Sequence, residues 1–176
     1  MKYAIVYSSK TGNTQSLAEE IHNVLPSDNC IYYGELNEQA LDAELIFVGF
    51  WTRMGRCNKE VKQFLKKLTS QKLFLFGTAG YGRDEEYTSQ IIERSLKFVP
   101  KHVETIGTFM CPGRMELNVR HKYEKRLKNP IFKKKANQKI RNFDLTYTHP
   151  DDDDFAALKR KVEKLYSLKC LTAIKY

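Results

Sequence analysis

One stretch near the start of the sequence decides the fold: Tyr7-Ser8-Ser9-Lys10-Thr11-Gly12-Asn13-Thr14. It follows the apolar run 3–6 and leads into residues 15–21, whose apolar positions have helical spacing. Hydroxyl groups and free N–H groups at the start of a helix bind phosphate, and the helix dipole favours the anion. The same residue types are also ordinary helix caps, so this stretch alone leaves a phosphate site and a plain cap equally open.

Length and composition place the chain among ordinary globular proteins. Its 176 residues are 41% hydrophobic, which suits a single domain over 1–176 with a sizeable core. The apolar runs are shorter than a membrane span, and the chain begins directly with a strand, so we expect no signal peptide and a cytoplasmic protein. Scattered cysteines without a CxxC pair argue against a disulfide framework or a zinc site. They are Cys30, Cys57, Cys111 and Cys170.

The positive charge is concentrated in one segment. The formal net charge is +9, and the stretch 114–141 contains eleven basic and two acidic residues. The rest of the chain therefore sums to zero. The basicity belongs to this segment and not to the fold as a whole.

Apolar and helical patterns alternate along the chain. They predict strands at 2–7, 30–33, 45–50, 72–77 and 103–109, and helices at 14–25, 59–68, 85–98 and from 148–151 to about 166. This alternation predicts an α/β fold, a doubly wound five-stranded parallel sheet of order 2-1-3-4-5 with helices on both faces. Residues 111–148 break the rhythm, and we interpret them as a basic insertion before the last helix. A charged helix is expected at 116–127, and residues 133–141 are poor in apolar side chains.

Three loops would meet at one edge of this sheet, because ligands bind outside the carboxyl ends of the strands at the switch point. The loop 8–14 supplies hydroxyls, 51–57 begins with the only tryptophan, and 78–82 is rich in glycine around Tyr81. A phosphate cradle beside aromatic faces and closely approaching backbone fits flavin mononucleotide (FMN). Trp51 could also be a half-buried core residue. No GxGxxG follows the first strand, and no GxxxxGK[ST] occurs.

These motifs resemble the flavodoxin family. Residues 5–14 are similar to its phosphate-loop signature, 49–52 to its second loop, which stacks on the flavin, and 77–81 to its third. The likeness covers residues 1–110 and resumes at the last helix. It implies bound FMN. The histidines at 22, 102, 121 and 149 are spread out, and no Ser-His-Asp or metal-ligand spacing occurs, so we expect no catalytic side chain and no metal. The implied cofactor-binding residues are Ser9, Lys10, Thr11, Gly12, Asn13, Thr14, Phe50, Trp51, Thr52, Thr78, Ala79, Gly80, Tyr81 and Gly82.

Further details resemble a bacterial subgroup of the family that includes the small flavodoxin-like partner of the gut bacterial bilirubin reductase. These details lie at 50–51, 75–78, 110–114 and 148–151. The resemblance implies electron transfer through FMN to a partner reductase for the reduction of bilirubin to urobilinogen. The alternative is a flavin-dependent oxidoreductase that acts directly on a quinone or a tetrapyrrole, as in menaquinone-dependent protoporphyrinogen oxidases, which also carry a basic insertion there.

The basic charge departs from the family pattern. Flavodoxins that shuttle electrons are typically acidic, and carboxylates around the flavin disfavour its reduced anion. Here the chain is basic, and Arg83 precedes Asp84 in the third loop. We therefore expect a higher potential for the second electron than acidic flavodoxins show.

The basic segment 114–141 leaves several interpretations open. It could be a solvated face, a docking surface for an acidic redox partner or an anionic membrane, or a clamp on a carboxylate-bearing substrate. Arg114 or Arg120 could hold the propionates of bilirubin bidentately. We expect no nucleic-acid partner, since the segment has no recognisable binding motif.

Overall fold

The computed structural model describes residues 1–81 and 84–173. Its strands are β1 (Tyr3–Tyr7), β2 (Cys30–Glu35), β3 (Leu45–Arg53), β4 (Arg56–Cys57), β5 (Lys72–Ala79) and β6 (Thr105–Pro112). Its helices are α1 (Asn13–Val24), α2 (Lys59–Leu65), α3 (Glu85–Leu96), α4 (Leu117–Arg126), α5 (Pro130–Thr146) and α6 (Asp152–Ala173). In the part of the chain that is described, no helix is both long and apolar enough to cross a membrane.

The main sheet is parallel, with the strand order β2-β1-β3-β5-β6. This order confirms the predicted doubly wound sheet. The prediction did not include the two-residue strand β4. β4 pairs antiparallel with the end of β3, so part of the expected loop at 51–57 is a small hairpin. The strand order reverses between β1 and β3, which places the switch point there.

Helices cover both faces of the sheet, which explains why the central strands are apolar at almost every position. Along β1, Tyr3 and Ile5 face α1 and α6, whereas Ala4 and Val6 face α2 and α3. All four side chains are fully buried. The loops at the carboxyl edge therefore stand on a rigid base.

Gly49 brings the start of α1 close to the sheet. A Cβ atom at this position would lie 2.5 Å from Cζ of Phe76 and 2.9 Å from Cγ2 of Thr14. Such distances are shorter than van der Waals contact, so only glycine allows the first turn of α1 to pack here. The backbone N–H of Ser8 also donates to the Gly49 carbonyl over 3.0 Å.

The insertion is a helical hairpin. α4 corresponds to the charged helix expected at 116–127, whereas the apolar pattern does not indicate α5. Asn129 explains how α5 starts, because its side chain accepts a hydrogen bond from the N–H of Ile131 over 3.0 Å, and proline suits the first helical position. Ala136 and Phe143 are buried, whereas the lysines at 133–135 of the same helix are exposed. Tertiary packing of a few side chains thus supports a helix that is otherwise strongly charged.

Candidate functional site

A cavity of about 320 Å³ lies at the carboxyl ends of β1, β3, β5 and β6. The three predicted loops all contribute to it, as switch-point geometry requires. A fourth segment, residues 113–119, follows β6 and forms another wall. The lining comprises Lys10, Thr11, Asn13, Trp51, Thr52, Met54, Gly55, Thr78, Ala79, Gly80, Tyr81, Tyr87, Gly113, Arg114, Met115, Glu116 and Val119.

The loop before α1 has the geometry of an anion site. Gly12 adopts φ +84°, a left-handed conformation that favours glycine, and as the N-cap residue it provides no side-chain cap of its own. The first turn of α1 contains no acidic residue. A Cβ atom on Gly12 would meet nothing within 4 Å, so the space above the loop is empty. A helix start without acidic residues and with empty space beside it fits a phosphate group.

Side chains of this loop also bind the fourth segment. The Asn13 amide donates from Nδ2 to the carbonyl oxygen of Arg114 over 2.8 Å and to Oγ1 of Thr11 over 3.0 Å. The hydroxyl of Thr11 donates to the same Arg114 carbonyl over 3.4 Å. The loop that would hold phosphate and the start of the basic insertion are therefore one hydrogen-bonded unit.

Thr14 has a structural position below the cavity. It is buried, and its Oγ1 lies 3.2 Å from Oγ1 of Thr78, so one hydroxyl donates to the other. Ser9 has a capping position, because its Oγ accepts from the N–H of Gln15 over 3.4 Å. Both residues stabilise the loop without lining the cavity.

The hairpin formed by β3 and β4 supplies a second wall. Trp51 is half-buried and faces the cavity, while its neighbour Phe50 is fully buried in the core between the sheet, α2 and α3. The Oγ1 atom of Thr52 is buried and has no hydrogen-bond partner among the described residues. A polar ligand in the cavity would supply that missing partner, since buried polar groups are otherwise nearly always paired. At the hairpin turn, Met54 and Gly55 both have positive φ, and Met54 is 88% exposed.

Aromatic and backbone groups complete the ring-binding part of the cavity. Tyr81 is partly exposed, and its ring packs edge-on against Tyr87 at a centroid distance of 5.9 Å. Gly80 allows a close approach of Met115, because a Cβ atom there would lie 2.5 Å from the methionine Cγ. A planar ligand can therefore contact aromatic faces, a thioether and backbone at once.

The cavity has a positive balance of charge. Lys10 lies 3.7 Å from Glu116, and both side chains are largely exposed, so this ion pair stabilises the fold only weakly. Arg114 adds a second exposed cation, and the described lining has no further carboxylate to pair with it. The net positive potential suits an anionic ligand.

The buried cysteines are poor nucleophiles. Burial raises the pKa of the Cys57 thiol. Burial and the nearby carboxylates of Asp154 and Asp151 raise the pKa of Cys111 further. Both thiols stay protonated at neutral pH, which removes the reactive thiolate form.

A cluster of His149, Asp151 and Asp154 caps α6. The Asp154 N–H donates to Oδ1 of Asp151, and the Asp151 N–H donates to Oδ2 of Asp154, each over 3.1 Å. The ring nitrogen Nδ1 of His149 lies 2.6 Å from the same Asp154 oxygen. Reciprocal bonds of this kind are a capping box, so we assign the cluster to the start of the helix.

Most of the residues predicted for the site line the cavity. Ser9, Gly12, Thr14 and Phe50 lie beneath or beside it, as described above, and Gly82 lies outside the described residues, as does Arg83. Met54 and Gly55 belong to the predicted loop 51–57 but were not named as site residues, Tyr87 was a weaker candidate than Tyr81, and sequence reasoning missed the wall formed by 113–119. The signal for that wall was available, because the fifth predicted strand must end at the same edge of the sheet.

The fold and the site together define a flavodoxin-like redox protein. The flavodoxin domain model matches residues 4–163, so the chain belongs to the flavodoxin family. Membership of this family and the fit of the acid-free start of α1 and the Thr52 hydroxyl indicate FMN as the cofactor.

Relatives share this family over most of their length. The flavodoxin-like domain-containing protein BilS of Clostridium symbiosum is 35% identical over 90% of this chain and 93% of its own. The protein of the same name from Clostridioides difficile is 32% identical over 88% of this chain and 90% of its own. A flavodoxin of Streptococcus pneumoniae covers 95% of this chain and 99% of its own with a TM-score of 0.59 and 15% identity, which is a likeness of fold.

Proposed function

We propose that this chain is an FMN-dependent electron carrier that supplies a separate reductase, and that the reaction it supports is the reduction of bilirubin to urobilinogen. FMN accepts and releases electrons one or two at a time. The start of α1 would hold the phosphate, and Trp51 of the β3–β4 hairpin and Tyr81 after β5 would contact the ring.

One observation carries the choice of a carrier over an enzyme. The cavity opens to solvent beside the exposed side chains of Met54 and Tyr81. An exposed ring edge lets electrons pass to a docked protein.

The bilirubin assignment rests on sequence. The motifs at 50–51, 75–78, 110–114 and 148–151 resemble the bacterial subgroup that includes the partner of bilirubin reductase, and the relatives at 35% and 32% identity share the name BilS.

A second candidate function has a specific observation in its favour. A smaller pocket of about 250 Å³ adjoins the cavity and is lined by Lys10, Thr11, Arg114, Met115 and Glu116. Its two cations could hold the carboxylates of a tetrapyrrole close to the flavin. In that case the chain would act directly on a tetrapyrrole, or on a quinone, without a partner.

One experiment separates the two functions. The FMN-loaded protein is photoreduced with a sacrificial electron donor under anaerobic conditions and mixed with bilirubin or a quinone, and the oxidised protein is mixed with protoporphyrinogen. Each mixture is made with and without a bilirubin reductase. A carrier is reoxidised by bilirubin only when the reductase is present. Reoxidation by bilirubin or the quinone alone, or reduction of the oxidised protein by protoporphyrinogen alone, would contradict the carrier and support the direct enzyme.

A further inference from the structure

The far end of the α4–α5 hairpin carries an unusual surface. Residues 125–143 contain eight basic side chains and no acidic one. We call the outer part of this surface the tip patch. It consists of Lys125, Arg126, Lys128, Ile131, Phe132, Lys133, Lys134 and Lys135, all of which are exposed.

The acidic residues of the hairpin do not neutralise the tip patch. α4 and α5 contain one acidic residue each, Glu124 and Asp144. Both bind Arg120, and the distance from Arg120 Nε to Oδ1 of Asp144 is 2.9 Å. Arg120 therefore compensates both negative charges within the hairpin, and the cations at the tip face solvent.

Two apolar side chains lie within this ring of cations. Ile131 is 83% exposed and Phe132 is 49% exposed, although burying such side chains is normally favourable. Both belong to the first turn of α5, next to the turn that joins the two helices. The patch thus combines a projecting apolar point with surrounding lysines.

The base of the hairpin is fixed to the flavin cavity. The Asn142 amide donates to the Gly80 carbonyl over 2.9 Å, and Val119 near the start of α4 lines the cavity. α4 has ten residues, so the tip lies roughly 15 Å along the hairpin from this base. A surface bound at the tip would leave the cavity free.

The composition of the tip patch favours a lipid surface over a protein. Five of its six cations are lysines, and lysine is depleted at protein interfaces whereas arginine is enriched. Apolar hot spots of protein interfaces insert into a shaped pocket, but a lipid surface accepts a projecting side chain without one. Each lysine close to an anionic membrane adds attraction, and an apolar point adds insertion.

We propose that the tip patch docks this protein reversibly onto a membrane surface rich in anionic phospholipid. Lysines of the patch contact the phosphate-bearing headgroups, and Ile131 with Phe132 enters the boundary of the acyl chains. The inference does not depend on the electron acceptor, and it would stand if the proposed function failed.

Sedimentation with vesicles tests the proposal. The FMN-loaded full chain is mixed with phosphatidylcholine vesicles, or with phosphatidylcholine–phosphatidylglycerol vesicles, at physiological ionic strength, where the Debye length is about 8 Å. We expect binding to the mixed vesicles only, and weaker binding as salt rises. No binding to the mixed vesicles would overturn the proposal and leave an acidic protein as the occupant.

Charge reversal locates the binding surface. The triple variant Lys133→Glu, Lys134→Glu, Lys135→Glu should bind mixed vesicles at least about a hundredfold more weakly. The control variant Lys66→Glu, Lys97→Glu, Lys101→Glu changes the net charge equally at exposed positions on other helices and loops. Equal loss in both variants would show that only the total charge matters and would contradict the tip patch. Flavin absorbance of each sample verifies that the site is intact.

Insertion is tested separately. Ile131→Ser removes a highly exposed side chain, so folding is unaffected, and we expect about tenfold weaker binding to mixed vesicles. Leu117→Ser, at the base of the same hairpin and 52% exposed, is the matched control and should bind like the native chain. Unchanged binding of Ile131→Ser would contradict an inserted apolar point.

Discussion

The cavity edge of the sheet and the tip of the α4–α5 hairpin differ in what supports them. The cavity loops stand on strands that are buried on both faces, and α1 packs on Gly49 through Thr14. The hairpin is held by a few buried side chains and by Arg120, and it exposes lysines and apolar groups. The comparison teaches that the cofactor site belongs to the fold, whereas the hairpin is a surface added to it. Core, cavity and tip variants should therefore give separable effects.

Removing a central core side chain should have the largest effect on stability. Phe47 is fully buried, with its ring 6.0 Å from that of Tyr3 and 5.4 Å from that of Phe74. Phe47→Ala should lower the free energy of unfolding by about 3–5 kcal/mol, measured by urea denaturation. Phe132→Ala on the hairpin should cost less than about half of this, because the ring is half exposed. Equal costs would show that the hairpin is as integral as the sheet.

The phosphate loop should respond in cofactor affinity. Thr11 lines the cavity, and its hydroxyl can donate to phosphate in place of its long 3.4 Å bond to the Arg114 carbonyl, so Thr11→Ala should weaken FMN binding by about tenfold or more. Quenching of FMN fluorescence on titration with apoprotein measures this. Ser16→Ala is the control, because the Ser16 hydroxyl donates to the Gly12 carbonyl within α1 and lies outside the cavity. A similar loss in Ser16→Ala would indicate that the loop is only a helix cap.

The charge of Arg114, in the wall formed by residues 113–119, should shift the flavin potential. Arg114 lines the cavity, and its charge favours the reduced anion, so Arg114→Gln should lower the potential of the second electron by a few tens of millivolts. A spectroscopic redox titration measures the shift. Arg126→Gln removes the same charge at the tip and should change the potential much less. Equal shifts would mean that the potential follows net charge and not this wall.

Charge reversal at the tip should have the smallest effect on the folded chain. The exposed Lys133, Lys134 and Lys135 contact solvent, so replacing all three by Glu should change the free energy of unfolding by no more than about 0.5 kcal/mol per residue. The affinity for FMN should stay the same, by the titration used above. A loss of FMN affinity in this variant would show that the tip patch and the cavity are coupled.

Local patterns were enough to predict the sheet and most of the cavity. Buried parallel strands are apolar throughout, and the switch-point rule then places the loops after Tyr7, Phe50 and Gly77 at one edge. Side-chain direction within a loop needed the structure. β3 continues to Arg53, so successive side chains alternate and Trp51 faces the cavity while Phe50 enters the core.

Non-local contacts could not be predicted in the same way. The wall of the cavity at Arg114 exists because Asn13 and Thr11 hold its carbonyl oxygen, a contact between residues about a hundred positions apart. The sequence pattern did not predict α5, because few of its residues are buried, among them Ala136 and Phe143, and many are charged. A charged helix that packs against one neighbour has too weak an apolar periodicity to be recognised from the sequence.

The central claim is that the edge of the sheet binds FMN through its phosphate. Titration of apoprotein with FMN and with riboflavin, followed by isothermal calorimetry, tests it directly. The account predicts one FMN per chain and an affinity for FMN at least about a hundredfold higher than for riboflavin, because only FMN places an anion at the start of α1, whose first turn contains no acidic residue. Equal affinities, or no binding of FMN, would contradict it.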